Sequence, residues 1–349
     1  MGSRLLKNQI SKLVRFILVL ATITLVAACA SGENATSAPD TSAPRPAGEI
    51  SSAKDPPSDI ANSAAEGIDE ASIRENLSYL TGASPAPLSS GPVTISERGS
   101  EEGRREAAEF MKESFEAVGI PARVLEFTSD NRFGTRRGFN VEAVLEGSLE
   151  GTEDEKHLWV TAHLDDVSNA GANDNATGLV SVLMNAKALT QLEPKHTVHF
   201  VAYDLEEIGT VGSTRYTASI VKDIREQKGD KAIIGNLNSD MIGYDSGGDY
   251  ETVMGTCNRA GSIGEAILRA SEAISSPLDI SEDCLRRSDH QTFWDTGLPA
   301  VVITDGAKYD GYPWYHTFGD TVDKLDIPYL RSIIQLNSAA VALLATSEN

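Results

Sequence analysis

Apolar positions along the chain recur with two different periods. Between residues 101 and 118, Ala107, Phe110, Met111, Phe115 and Val118 return every three or four positions, and Gly119 stands where a helix would stop. That spacing predicts an amphipathic helix. Short runs of apolar and β-branched residues predict strands at 123–127, 140–145, 157–162, 197–203, 232–238, 252–255 and 300–304. Between them, Leu179, Val182, Leu183 and Ala186 mark a helix, and further helices are predicted at 263–274, 290–294 and 327–344. Strands interleaved with helices imply an α/β, three-layer domain with a mostly parallel or mixed central sheet between helices. In such domains, ligands bind beyond the carboxyl ends of the strands.

The first residues follow a different logic. Arg4, Lys7, Lys12 and Arg15 precede an apolar run over 16–28, too short for a comfortable membrane span, which ends Val26-Ala27-Ala28-Cys29. Small residues directly before a cysteine resemble a bacterial lipobox. Residues 1–28 therefore read as a lipoprotein signal peptide and Cys29 as the lipidated first residue of the mature chain; an uncleaved anchor and an ordinary secretory signal are the rival readings. Residues 29–67 are rich in Ser, Ala and Pro and nearly free of large apolar side chains. They read as a flexible tether, which leaves 68–349 as the folded domain, held outside the cytoplasm on an envelope membrane.

The formal charge of −21, from 30 Lys and Arg against 51 Asp and Glu, argues against a nucleic-acid partner. Besides Cys29 the chain has Cys257 and Cys284. In an oxidising compartment the simple reading is one disulfide; a metal site built on the two cysteines is the rival, but neither has a further cysteine or a histidine at short spacing.

Chemistry-bearing residues gather where the predicted strands end. His163-Leu164-Asp165 follows one strand, Glu206-Glu207 another and Asp240 a third. Asp174 sits in Gly171-Ala172-Asn173-Asp174-Asn175-Ala176, and His316 in Trp314-Tyr315-His316-Thr317. One histidine at a strand end, or one acidic pair, is ordinary surface chemistry. Two histidines and three carboxylates in this order suit a pair of zinc ions, which need one carboxylate shared between them and one histidine and one further carboxylate each.

With these motifs the chain resembles the aminopeptidase Y and aminopeptidase S family of co-catalytic zinc peptidases, relatives of plasma glutamate carboxypeptidase and glutaminyl cyclase, over residues 104–344. The resemblance implies a metal-dependent exopeptidase acting on peptides with two Zn²⁺ per chain. It implies that Asp174 bridges the ions through a cis peptide to Asn175, that His163 and Asp240 complete one site, and that Glu207 and His316 complete the other. Asp165 would orient His163, Glu206 would be the general base, Tyr315 would steady the oxyanion, and Arg287, in Arg287-Ser288-Asp289-His290, would line the substrate pocket. Leu205 departs from the glycine that family members carry before the acidic pair. His157, His196, His199 and His290 read as structural. A glutaminyl cyclase and a carboxypeptidase or dipeptidase are the alternatives. A binding module that has lost its metals is disfavoured, because every ligand and the base are present.

Overall fold

Two helices, α1 (Pro56–Glu66) and α2 (Glu70–Leu80), lead into a small hairpin of β1 (Ala86–Leu88) and β2 (Gly91–Val93). The computed structural model describes residues 56–131, 134–167 and 169–348; the expected signal peptide, Cys29 and the tether as far as residue 55 lie outside them. Helix α1 corrects the expectation of a tether reaching residue 67. Its small residues Ala61, Ala64 and Ala65 are buried, and Gln335 Nε2 donates to the Ala65 carbonyl at 3.1 Å. Alanines bury little area each, but they let helix backbones approach closely, so this stretch packs against the rest of the domain.

Helix α3 (Glu101–Ala117) forms where the helical period placed it. The Ser100 hydroxyl accepts the Gly103 N–H as an N-cap, and the apolar stripe ending at Phe115 is buried. Then come β3 (Ala122–Asn131) and β4 (Gly134–Leu145), an antiparallel ribbon longer than expected because its polar, exposed end pairs as well as its buried one. The chain continues through β5 (His157–His163), α4 (Thr177–Leu189), β6 (Thr197–Tyr203), α5 (Val211–Tyr216), α6 (Lys222–Lys228), β7 (Ile233–Ser239) and β8 (Glu251–Gly255). It closes with α7 (Ser262–Ala273), β9 (Asp279–Asp283), α8 (His290–Asp295), β10 (Ala300–Asp305) and α9 (Ile327–Thr346).

Among the described residues these strands make one eight-stranded mixed sheet in the order β3-β4-β6-β5-β7-β10-β8-β9. The central strands β6, β5, β7 and β10 are parallel, and β5, β6, β7 and β10 are buried at every position, as a sheet covered on both faces requires. One face packs against α3, α4, α7 and α9 through residues such as Phe115, Leu183, Ile267 and Ile334. The other carries Trp159, Tyr203, Tyr216, Phe293 and Trp294. Helix α9 is apolar because most of its surface is enclosed in this core. Cys257 and Cys284 form a disulfide just beyond the ends of the parallel neighbours β8 and β9, which disposes of the cysteine metal site.

Candidate dinuclear metal centre

Three adjacent parallel strands end at one crevice. His163 is the last residue of β5, Glu206 and Glu207 follow β6, and Asp240 follows β7. Asp174 enters from the turn before α4, and His316 from the segment after β10. His163 Nε2 lies 3.1 Å from Asp174 Oδ1 and 3.3 Å from Asp240 Oδ1. His316 Nε2 lies 3.2 Å from Asp174 Oδ2 and 3.0 Å from Glu207 Oε2. The five residues thus form two groups, His163–Asp174–Asp240 and Asp174–Glu207–His316, which share Asp174 through a different oxygen each.

The chemistry of this donor set fits two cations. Glu207 Oε1 is buried without a hydrogen-bond partner, and three carboxylates meet only two imidazoles. Without cations, protons hold the cluster together. Burial and the nearby Asp174 push the Glu207 carboxyl up to about 7, and hydrogen bonds to Asp174 and Glu207 push His316 up to about 10. His163 is held well above its ordinary range; burial opposes this, but Asp240, Asp165 and Asp174 outweigh it. Two divalent ions would replace those protons with fixed charge.

The turn carrying Asp174 has a cis peptide between Asp174 and Asn175. Its asparagines stitch it to the end of β7. Asn173 Oδ1 accepts the Gly243 N–H at 2.8 Å, and Asn175 Nδ2 donates to the Ser239 carbonyl at 2.9 Å. Arg98, fully buried, braces the same crevice from below. It donates to the Leu164 carbonyl at 2.8 Å and the Gly171 carbonyl at 2.9 Å, fixing the backbone just after His163 and three residues before Asp174. Sequence reasoning missed Arg98, because an arginine ahead of a helix carries no pattern that reveals such distant partners.

Asp165 lies beside His163 and also reaches further. The ring nitrogen Nδ1 of His163 is 3.0 Å from the backbone carbonyl of Asp165, whereas the carboxylate is 3.8 Å away, too far for a hydrogen bond. That carboxylate instead accepts the N–H of Glu206 at 2.9 Å and of Glu207 at 3.2 Å. Glu206 lies beside the ligands, and burial, together with repulsion from Asp289, Asp240 and Glu207, raises its carboxyl well above the usual range. Leu205 before it has φ +61°, a conformation glycine adopts freely, which accounts for the glycine expected there.

On the opposite rim, Arg287 pairs with Asp310 at 2.5 Å and reaches the Tyr315 hydroxyl at 3.5 Å. Tyr315 stacks on His316 with ring centroids 3.8 Å apart. The remaining histidines have structural surroundings. His199 bridges His157 and Glu142 with contacts of 3.1 Å, so it does have an acidic companion, but one on the neighbouring strand rather than nearby in sequence. His290 contacts the Leu285 carbonyl at 2.9 Å, and His196 is buried.

Residues 140–341 match peptidase family M28. Aminopeptidase YwaD from Bacillus subtilis is 29% identical over 189 residues, which cover 53% of this chain and 40% of that protein. The chain spans about half the length, or less, of the first curated relatives it matches. Among solved structures, BSAP, a zinc aminopeptidase from Bacillus subtilis, shares the fold with a TM-score of 0.68 at 16% identity, covering 81% of this chain and 97% of that one. Fimbriiglobus ruber glutaminyl cyclase shares it with a TM-score of 0.62 at 18% identity, covering 79% and 95%.

Proposed function

The chain belongs to peptidase family M28, and from that premise we propose that it is a metal-dependent aminopeptidase that removes N-terminal residues from peptides with two zinc ions. The observation that carries this reading is Asp174, whose two carboxylate oxygens face His163 and His316 separately. His163 and Asp240 would hold one ion, Glu207 and His316 the other, and Asp174 both. When bound, the ions would supply Lewis acidity and lower the proton affinity of the attacking water.

The chain's own residues do the rest. Glu206 takes the proton of the attacking water and returns it to the leaving amine, a role its backbone anchorage to Asp165 supports. The Tyr315 hydroxyl, at the rim beside His316, donates to the oxygen that gains charge at the scissile carbonyl. Arg287 steadies that rim through Asp310 and Tyr315. For the leader, the reading stays that of the sequence: residues 1–28 direct export, and lipidated Cys29 anchors the domain to an envelope membrane. Cys29→Ser would release the protein from membranes.

The zinc-peptidase fold is shared with a glutaminyl cyclase, so the deciding experiment separates the two reactions by product. Leucyl and glutaminyl peptides are incubated with the protein, and products are identified by mass. Release of free leucine with addition of water supports the aminopeptidase. Loss of ammonia and a pyroglutamyl product, with neither peptide cleaved, would establish the cyclase instead.

A further inference from the structure

Bridging works only if the Asp174 carboxylate stays in register with two sets of partners that enter from different parts of the chain. The set formed by His163 and Asp240 comes from β5 and β7, and the Asn173 and Asn175 side chains already tie the Asp174 turn to the end of β7. His316 comes from an open segment after β10 and is itself exposed to solvent. Something other than those asparagines must hold this segment to the bridge.

We propose that Asp320 is a positioning residue for the metal centre, locking the turn that carries Asp174 to the segment that carries His316. The inference rests on the two-zinc reading above. Asp320 is fully buried, four residues beyond His316. Its Oδ1 accepts the Asn173 N–H at 2.8 Å and its Oδ2 the Asp174 N–H at 3.0 Å, so both oxygens grip consecutive peptide groups at the bridge. The Tyr312 hydroxyl donates to Oδ1 at 2.8 Å, and the Ala172 N–H donates to the Asp320 carbonyl at 3.3 Å. On the other side, the Asp320 N–H closes a turn on the Thr317 carbonyl at 3.1 Å, and Asn169 Nδ2 donates to that same carbonyl at 2.8 Å. Hydrogen bonds to a charged acceptor in a buried site are the strong kind. The two half-sites are therefore laced to the bridge by separate devices, asparagines for His163–Asp240 and Asp320 for His316.

Asp320→Asn keeps the shape but turns one acceptor into an N–H₂ group facing a peptide N–H. Zinc is titrated into metal-free wild type and variant in competition with a chromogenic chelator, and folding is checked by circular dichroism. We expect wild type to take up two ions. The variant should take up the first ion with unchanged affinity and the second at least about tenfold more weakly, within the range seen when a supporting residue of a metal site is lost. Tyr312→Phe, which removes one donor to Asp320 and leaves its grip on the bridge, should stay within about threefold of wild type at both sites. Asn169→Ala cuts the second lacing and should repeat the selective loss, which keeps the test alive should Asp320→Asn not fold. Equal weakening of both ions, or none, in a folded variant would mean that Asp320 serves the general structure and would overturn the proposal. A wild-type protein that takes up fewer than two zinc ions would overturn the two-zinc reading, and this inference with it.

Discussion

The Asp165 carboxylate accepts the backbone N–H of Glu206 at 2.9 Å and so holds the proposed general base in place. Its second oxygen accepts the Glu207 N–H. Removing this grip should move both side chains while leaving His163 oriented by the Asp165 backbone carbonyl, which any residue supplies. We expect Asp165→Ala to lower kcat about 10- to 100-fold. Metal analysis of the same preparation separates the causes. Retention of two zinc ions would place the loss in Glu206, and loss of the ion that the proposal assigns to Glu207 and His316 would place it in Glu207.

Glu206→Gln removes proton transfer and leaves the ligand groups untouched, because Glu206 belongs to neither of them. Its kcat should fall at least about 100-fold with zinc content unchanged. Asp174→Ala, by contrast, deletes the residue common to both groups and should lose both ions. Near-normal turnover by Glu206→Gln would assign the base elsewhere.

How much of this was legible in the sequence depends on the range of the interaction. Helix α3 and strands β5, β6 and β10 were readable because burial imposes a local period, and His163, Asp174, Glu207 and Asp240 because each follows a strand or sits among small residues. Helix α1 was not, since its alanines acquire meaning only against α9. The Asp165 carboxylate has partners beyond the one expected of it. His163 is its neighbour along the chain, whereas the peptide groups it binds lie 41 and 42 residues away. Arg98 and Asp320 stayed hidden for the same reason, with partners at separations of 66 and 146 residues.

The raised groups at the centre set a pH dependence for the metal-free protein. Burial pushes the Glu207 and Asp289 carboxyls up to about 7, and hydrogen bonds to Asp174 and Glu207 lift His316 to about 10. In each case the folded chain holds a proton that the unfolded chain has already released. Stability from these groups is present below their ordinary values and is lost as pH rises through the folded ones. Glu142 and Glu155, both held at about 2, add a gain that is constant above pH 5. The melting temperature of chelator-treated protein should therefore fall between pH 5 and 9. Zinc binds the deprotonated ligands, so the rise in melting temperature on adding zinc should grow over the same interval. Calorimetric scans across that range check both slopes, and a metal-free protein that became more stable towards pH 9 would contradict the assignment.

Leu205 poses a contest between backbone and side chain. Its φ of +61° costs a non-glycine residue roughly 1–2 kcal/mol, and glycine would remove that strain. Yet the Leu205 side chain is only 3% exposed, and burying a leucine is worth about 1.5–3 kcal/mol. Glycine also loses more backbone freedom on folding, roughly a further 0.5–1 kcal/mol by comparison with alanine. Burial and entropy together exceed the strain, so Leu205→Gly should destabilise the protein by about 1 kcal/mol rather than stabilise it. The peptide groups that follow are fixed independently, with Glu206 and Glu207 held by Asp165 and the Val211 N–H held by the Leu205 carbonyl at 3.0 Å. Zinc content should therefore stay at the wild-type level and kcat should change less than about threefold, because the catalytic side chains keep their anchors. Urea unfolding of zinc-loaded protein measures the first effect and leucyl-peptide hydrolysis the second. A stabilised Leu205→Gly protein would mean that strain outweighs burial at this turn.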